Sequence, residues 1–132
     1  MHFSLSHSGS QVLCALSGAP VGCDTERIRP VESSLVNRVF TAAEQAQLAK
    51  ADDKQKMFFR LWTLKESVIK ATGENLLMLK DFSVIIKDDG ITLEPEKPFS
   101  LKEFSFKDDY CYACCFSTPE ISDPIIVNLE NI

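Results

Sequence analysis

Two acidic residues, placed two positions apart, are the first feature of the sequence that could do chemistry. Asp24 and Glu26 lie in residues 21–26, whose pattern predicts a β-strand, so both carboxylates would point to the same face. Adjacent carboxylates raise each other's pKa unless a cation lies between them. A hard divalent ion such as Mg²⁺ would suit this pair, because it binds oxygen ligands and combines few carboxylates with water and substrate phosphate. The alternative interpretation is a solvated strand end that is neutralised by Arg27 and Arg29.

A second group of charged side chains lies on a predicted helix over residues 58–73. Apolar residues recur there at spacings of three and four, which is typical of a helix with one face against a core. Trp62, Glu66 and Lys70 are spaced four apart and would align at the margin of that face. If the helix packs across the strand, Glu66 adds a third carboxylate, and Lys65 and Lys70 add cations for phosphate oxygens. The alternative is a surface ion pair between Glu66 and Lys70, worth a few tenths of a kcal/mol.

Length and composition are those of an ordinary globular protein. The 132 residues are 45% hydrophobic, which suits one domain over residues 1–132 with a substantial core. The net charge of −5 argues against a nucleic-acid partner. Without an apolar run of membrane-spanning length or a signal-peptide pattern, we expect a cytoplasmic protein with no membrane partner. The five cysteines indicate reduced core thiols, and the C-x-x-C of Cys111 and Cys114 has no second ligand pair for zinc.

The elements that would position these residues are a β-meander, a helical middle and a second set of strands. Alternating apolar residues and turn signals predict strands at 3–8, 11–16, 21–26, 82–87, 91–94, 101–106, 110–117 and 125–129. A short helix and then a helix with a capping box of Thr41 and Glu44 follow the first strands. Asp52 or Asp53 can cap the long helix, and Gly73 can end it. The sequence therefore predicts an α+β fold in which an antiparallel β-meander packs on the helical middle segment.

Several of these segments together resemble the two-part signature of the 4′-phosphopantetheinyl transferases. Residues 21–26 (Val-Gly-Cys-Asp-Thr-Glu) resemble the first part, and residues 61–70 (Leu-Trp-Thr-Leu-Lys-Glu-Ser-Val-Ile-Lys) resemble the second. Residues 3–8 (Phe-Ser-Leu-Ser-His-Ser) are similar to the Ser-His strand that precedes the first part in the surfactin-synthetase-activating type. Residues 40–44 (Phe-Thr-x-x-Glu) are similar to a common helix start of the family. The resemblance covers at least residues 3–74.

Members of this family move the phosphopantetheine arm of coenzyme A onto a serine of an acyl or peptidyl carrier protein and release adenosine 3′,5′-bisphosphate. The resemblance therefore implies a Mg²⁺-dependent transferase, with coenzyme A as co-substrate and an apo carrier protein as partner. It implies three carboxylate ligands of the metal, which are Asp24, Glu26 and Glu66. The implied coenzyme A contacts are Ser6 and His7 to the 3′-phosphate, and Lys70 and Lys65 to phosphate. Glu66 and Lys70 would be the catalytic residues, with Glu66 deprotonating the acceptor serine.

The length of the chain differs from that of the surfactin type, whose two similar halves bind coenzyme A between them. This chain resembles only the second half, so we expect a homo-oligomer, a dimer or trimer, in which another copy completes the coenzyme A site. The unbroken apolar run 12–16 predicts a strand buried on both faces, one of them by a partner subunit. Two alternatives stay open. One is a catalytically impaired coenzyme A- or carrier-protein-binding module of the same fold, and the other is a structural α+β subunit.

Overall fold

Seven β-strands, three α-helices and one 3-10 helix make up residues 1–128, the part of the chain that the computed structural model describes. The strands are β1 (His2–Ser8), β2 (Gln11–Ser17), β3 (Val21–Arg27), β4 (Ser83–Lys87), β5 (Gly90–Glu94), β6 (Ser100–Phe104) and β7 (Tyr110–Phe116). The α-helices are α1 (Ser33–Val39), α2 (Ala42–Lys50) and α3 (Lys54–Thr72), and the 3-10 helix is Leu76–Asp81.

The helix ends follow the local signals in the sequence. Thr41 and Glu44 form the predicted capping box at the start of α2, with the Glu44 side chain accepting the Thr41 N–H at 2.9 Å. Asp53 caps α3 by accepting the Lys56 N–H at 3.1 Å, so the helix begins before the predicted segment 58–73. Gly73 ends α3 with φ 74°, in the left-handed region that favours glycine.

The strands form three antiparallel sheets, and α3 packs on the central one. The central sheet has the order β3-β7-β6, and the β1–β2 and β4–β5 hairpins form two smaller sheets. One face of the central sheet packs on α3, and this main core includes Phe59, Leu61, Leu64, Val68, Ala113 and Cys115. The other face packs on the β1–β2 hairpin, and this smaller core includes Val21, Cys23, Cys114, Phe116, Leu13 and Ala15. The prediction of an α+β fold, with antiparallel sheets and central helices, is confirmed.

A glycine allows α3 to lie directly against β3. A Cβ at Gly22 would clash with the carbonyl oxygen of Ser67 and would lie 2.6 Å from the Ala71 backbone nitrogen. Both atoms belong to the helix backbone, which cannot move aside as a flexible side chain would. Gly22 therefore sets the distance between the strand and the helix, and it brings Lys70 of α3 over the residues that follow Gly22 in β3.

The β1–β2 hairpin is joined to β3 by serine side chains. Alternate N–H groups of β3 donate to alternate serine hydroxyls of β1 at 3.0 Å, in the pairs Cys23 to Ser4, Thr25 to Ser6 and Arg27 to Ser8. The tip of the hairpin is held by two tyrosines of β7. Tyr110 accepts the Ser10 N–H, and Tyr112 donates to Gln11. Serines at every second residue of β1 thus accept hydrogen bonds from the N–H groups along the edge of β3, which that edge would otherwise leave exposed.

The outer face of the β1–β2 hairpin is exposed in the single chain, and its burial by a partner subunit stays a prediction. Leu13 and Ala15 pack inward, whereas Val12 and Leu16 are 61% and 68% exposed, so β2 is not buried on both faces within the described chain. The cross-strand neighbour of Leu16 is Phe3, which is also exposed. The reason is topological, because only one face of this two-stranded sheet meets the central sheet. The outer face is an apolar surface of Phe3, Leu5, Val12, Cys14 and Leu16.

The C-x-x-C pair does not form a ligand site, and the predicted last strand is not a strand over its described residues. Cys111 packs in the main core and Cys114 in the smaller core, on opposite faces of β7, so the two thiols cannot share one metal. Residues 125–128 form no strand, which makes the predicted strand 125–129 wrong over that range, and residue 129 lies outside the described residues. Ile125 and Ile126 are exposed there and lack the packing that would fix a strand.

None of the described helices is both long and apolar enough to cross a membrane.

Candidate active site

Asp24 lies at the centre of the candidate site, where β1, β3 and α3 meet. Its side chain is buried, and its Oδ1 atom accepts hydrogen bonds from Ser6 Oγ at 2.8 Å and from Lys70 Nζ at 3.2 Å. Its Oδ2 atom is also buried but accepts no hydrogen bond from any described residue. Burial raises the pKa of Asp24 from 3.8 to about 6, while the charge of Lys70 acts in the opposite direction. The site therefore holds a carboxylate with one satisfied and one unsatisfied oxygen.

Glu66 is the second carboxylate near this point. It is half-buried on α3, one turn before Lys70. Its pKa is raised, first by burial and then by the negative charge of Asp24, and it is lowered by Lys70. The charge of Glu26 also raises the pKa of both Asp24 and Glu66. Glu26 and Glu66 therefore lie close enough to Asp24 for the charges to interact.

The three carboxylates do not converge on one point. Glu26 turns to Arg29, whose Nη1 atom lies 3.0 Å from its Oε2 atom, and Asp24 is held by Lys70. Among residues 1–128, no group of three or more His, Cys, Asp or Glu side chains is arranged to hold a metal ion. The chain's own cations thus neutralise the acidic cluster in this arrangement. One feature of the site nevertheless fits Mg²⁺: the buried Oδ2 atom of Asp24 has no donor among the described residues, and a carboxylate oxygen is the hard ligand that this ion binds.

Lys70 is placed by the close packing of α3 on β3. Its Nζ atom donates to the Cys23 carbonyl oxygen at 3.0 Å as well as to Asp24. The side chain is still 30% exposed, so its ammonium group remains accessible from solvent. Lys70 is therefore a cation fixed beside the acidic cluster, and its contact with phosphate stays a prediction.

Lys65 is not at this site. Its side chain is fully buried, and its Nζ atom donates to both carboxylate oxygens of Glu44, at 2.8 and 2.9 Å, and to the Phe82 carbonyl at 2.6 Å. The Glu44 carboxylate also accepts the N–H of Val84 and that of Thr41. Consecutive helical residues point about 100° apart, so Lys65 faces α2 when Glu66 faces β3. Its implied phosphate contact is therefore absent from this arrangement.

Ser6 and His7 are adjacent in sequence but face opposite directions. Ser6 is buried and donates to Asp24, whereas His7 is exposed and lies across from Val12. This division follows from strand geometry, in which successive side chains alternate between faces. The contact between Ser6 and Asp24 was not predicted from the sequence. The alternation Ser4-x-Ser6-x-Ser8 was the signal that could have revealed it.

A groove opens beside Glu26, between α1 and α3. Its volume is about 340 Å³, and its lining includes Arg29, Arg38, Phe58 and Trp62. Phe58 and Trp62 stack with ring centroids 6.4 Å apart and form an apolar wall. The groove therefore combines aromatic surface with two guanidinium groups next to the acidic cluster.

Comparison with known proteins places this chain in a family. Residues 20–115 match the family model described as the 4′-phosphopantetheinyl transferase superfamily. A 4′-phosphopantetheinyl transferase of Bacillus subtilis is 38% identical over 95% of this chain, which covers 59% of that relative. The 4′-phosphopantetheinyl transferase Sfp of Bacillus subtilis strain 168 is 36% identical over 99% of this chain, which covers 62% of it. The chain thus spans about six tenths of the length of these curated relatives.

Solved structures support the same fold at lower sequence identity. A holo-(acyl-carrier-protein) synthase from Bacillus anthracis, in complex with CoA (3′,5′-ADP), has a TM-score of 0.61 at 18% identity and covers 74% of this chain and 93% of its own. The Thermotoga maritima holo-[acyl-carrier-protein] synthase has a TM-score of 0.60 at 16% identity, covering 74% of this chain and 61% of its own. These structures show the fold, and the family model over residues 20–115, with the relatives, shows that the chain belongs to the 4′-phosphopantetheinyl transferase superfamily.

Proposed function

We propose that this protein transfers the 4′-phosphopantetheine arm of coenzyme A to a serine of an acyl or peptidyl carrier protein. Adenosine 3′,5′-bisphosphate would be released, and Mg²⁺ would be required. The observation that carries this proposal is the buried Oδ2 atom of Asp24, which has no donor among the described residues and lies in a cluster with Glu66, Glu26 and Lys70. These are the residues that the resemblance to the family signature implies.

Each residue of the cluster has a place in the proposed reaction. Asp24, Glu26 and Glu66 would hold Mg²⁺, which when bound would neutralise the charge of the coenzyme A pyrophosphate. Lys70 would hold a phosphate oxygen, because its ammonium group is fixed yet still accessible. Its hydrogen bond to Asp24 holds the ammonium group at the edge of the acidic cluster.

The acid–base step is assigned to Glu66. The proton of the acceptor serine would pass to the Glu66 carboxylate, and the serine oxygen would form a bond to the phosphorus that carries pantetheine. The bond from that phosphorus to the bridging oxygen would break, and the oxygen would leave with adenosine 3′,5′-bisphosphate. In the metal-free protein, burial and then the charge of Asp24 raise the pKa of Glu66, while the charge of Lys70 lowers it.

The carrier protein would approach through the groove between α1 and α3. Carrier proteins of this kind are generally acidic, and Arg29 and Arg38 line the groove. Trp62, which is partly exposed and stacks on the buried Phe58, offers an aromatic surface in the same groove, of the type that contacts protein partners. The groove borders Glu26, so a serine presented there would lie near the acidic cluster.

Coenzyme A binding is proposed to involve a second copy of the chain. The outer face of the β1–β2 hairpin, with Phe3 and Leu16 exposed, is an apolar surface that a homo-oligomer, a dimer or trimer, would cover. Residues 1–132 would act as one domain within that cytoplasmic assembly. Light scattering at micromolar concentration, with and without coenzyme A and Mg²⁺, tests this point. A monomer under both conditions that still transfers the arm would refute the oligomer proposal.

A second candidate is a module of the same fold that binds coenzyme A or a carrier protein without turnover. It is favoured by the ion pairs that engage Glu26 with Arg29 and Asp24 with Lys70. In the transferase, Mg²⁺ would replace Arg29 and Lys70 as the partner of these carboxylates; in the second candidate, the ion pairs would stay in place.

The decisive experiment measures the mass of an apo carrier protein after incubation with the purified protein, coenzyme A and Mg²⁺. The proposal expects a gain of one phosphopantetheine group with the wild type and none with Asp24→Ala. Asp88→Asn is the matched control, because it removes an exposed acid from the β4–β5 turn. An unmodified carrier with the wild type, together with measurable coenzyme A binding, would support the second candidate instead.

A further inference from the structure

The serines of β1 are chemically alike but do not have the same contacts. Ser4, Ser6 and Ser8 each accept one N–H group from β3 at 3.0 Å. Only Ser6, among these three, also donates its hydroxyl proton to a carboxylate, which is Asp24 at 2.8 Å. Ser4 and Ser6 are equally buried, each at 7% exposure. The two residues therefore differ in their contact with Asp24 and not in their burial.

The direction of the Ser6 hydrogen bond follows from its alternatives. The hydroxyl carries one proton, and the two acceptors within reach are Asp24 Oδ1 at 2.8 Å and the Thr25 carbonyl at 3.5 Å. The carboxylate is closer and charged, so it takes the proton. The Ser6 oxygen meanwhile accepts the Thr25 N–H. The Ser6 hydroxyl therefore both donates and accepts a hydrogen bond within the protein.

The Asp24 carboxylate is consequently held in one orientation. Ser6 and Lys70 both donate to Oδ1, from β1 and from α3, which fixes the plane of the carboxylate. Oδ2 is left buried and without a donor among residues 1–128. A carboxylate that is hydrogen-bonded through one oxygen offers the other as a defined metal ligand.

We propose that Ser6 is a positioning residue that orients Asp24, so that Oδ2 is presented as a metal ligand, rather than a residue that binds coenzyme A. This inference rests on the proposed function for its metal. It differs from the contact to the 3′-phosphate that the family resemblance implies for Ser6. The buried hydroxyl, which already serves Asp24 and Thr25, has no free proton to give to a phosphate.

Metal binding without turnover provides the first test. The Mn²⁺ dissociation constant of the protein is measured by electron paramagnetic resonance for the wild type, Ser6→Ala and Ser4→Ala. Ser6→Ala should weaken Mn²⁺ binding by about tenfold or more, as is usual for loss of a group that orients a ligand. Ser4→Ala, the matched control, should lower the urea midpoint to a similar extent but leave the Mn²⁺ constant at the wild-type value. If Ser6→Ala does not fold, Ser6→Cys replaces it, because the thiol is a weak donor of similar shape.

Transfer kinetics provide the second test, with coenzyme A and 3′-dephospho-coenzyme A as alternative substrates. A positioning role predicts that Ser6→Ala lowers kcat by the same factor for both substrates. A phosphate contact predicts instead a raised KM for coenzyme A and no penalty for the substrate that lacks the 3′-phosphate. The second result would overturn the inference.

The outcomes separate this inference from the function on which it rests. Equal Mn²⁺ constants for Ser6→Ala and Ser4→Ala would overturn the positioning role. A wild-type protein that does not bind Mn²⁺ at millimolar concentration would overturn the metal site and the positioning role together. A wild type that binds Mn²⁺ but modifies no carrier would refute the proposed transferase alone, and the Mn²⁺ constants would then decide the role of Ser6.

Discussion

Replacement of Asp24 by asparagine should stabilise the fold at neutral pH while it removes the proposed metal ligand. The carboxylate is buried, and its pKa is raised from 3.8 to about 6, chiefly by that burial. The folded state therefore binds the proton more tightly than the unfolded state does. The free energy of unfolding falls as pH rises from the unfolded pKa through the folded one, and it is level above that range. Asparagine does not titrate, so residue 24 causes no such fall in the free energy of unfolding of Asp24→Asn.

The size of the effect follows from the pKa difference. A change from 3.8 to about 6 corresponds to about 3 kcal/mol between the two limiting states, at about 1.4 kcal/mol per pH unit. About 2 kcal/mol of this falls between pH 4.5 and 7.5, which is a practical range for unfolding experiments. The stability difference between Asp24→Asn and the wild type should therefore increase by about 2 kcal/mol across that range.

Urea titrations with a chelator present, followed by the fluorescence of Trp62, the single tryptophan, measure this difference at each pH. Asp88→Asn is the control, because Asp88 is exposed in a turn and its replacement should give a small difference. Comparing differences between variants cancels the titration of groups that the substitution does not touch. A stability difference for Asp24→Asn that is constant between pH 4.5 and 7.5 would refute the assignment of Asp24 as a buried carboxylate with a raised pKa.

Three further substitutions test the packing and the charges around the site. Gly22→Ala should lower the free energy of unfolding, measured by urea titration, by about 3 kcal/mol or more, because its Cβ meets the backbone of α3. Gly18→Ala is the control and should match the wild type, because nothing lies within 4 Å of its Cβ. Lys70→Ala should reduce transfer to the carrier by at least about 100-fold, and near-normal modification by mass spectrometry would leave Lys70 only a structural role. Lys65→Met should cost about 3–5 kcal/mol, because it leaves the Glu44 charge buried without a cation. A double variant that adds Glu44→Gln, which removes that charge but keeps one acceptor oxygen for the Thr41 and Val84 N–H groups, should regain part of the loss. A double variant no more stable than Lys65→Met would contradict the uncompensated charge as the cause of the loss.

Local signals in the sequence were sufficient to predict some of the helix ends. The capping box of Thr41 and Glu44 and the left-handed Gly73 are present as expected, and of the two candidate caps for α3, Asp52 and Asp53, it is Asp53 that caps the helix. Each depends on hydrogen bonds or backbone angles within a few residues, so neighbouring residue types contain the necessary information. The strand that was predicted wrongly, over residues 125–128, has apolar residues but no neighbouring strand to pair with among the described residues.

The sequence alone also determined the family signature, the α+β class and the presence of Asp24, Glu66 and Lys70 on a strand and a helix that could meet. Which side chains actually meet was decided by tertiary packing. Lys65 and Glu66 are neighbours in sequence, yet the rotation of α3 buries Lys65 against Glu44 and leaves Glu66 beside Asp24.

The same holds for the strands. Alternation along β1 separates Ser6 from His7, but only the docking of β1 on β3 shows that Ser6 faces Asp24. Residue types and spacing define which groups are available on each face of an element. The element that packs against that face then decides which groups are buried, paired or left with an unsatisfied oxygen, because contacts between distant segments depend on the relative placement of whole elements.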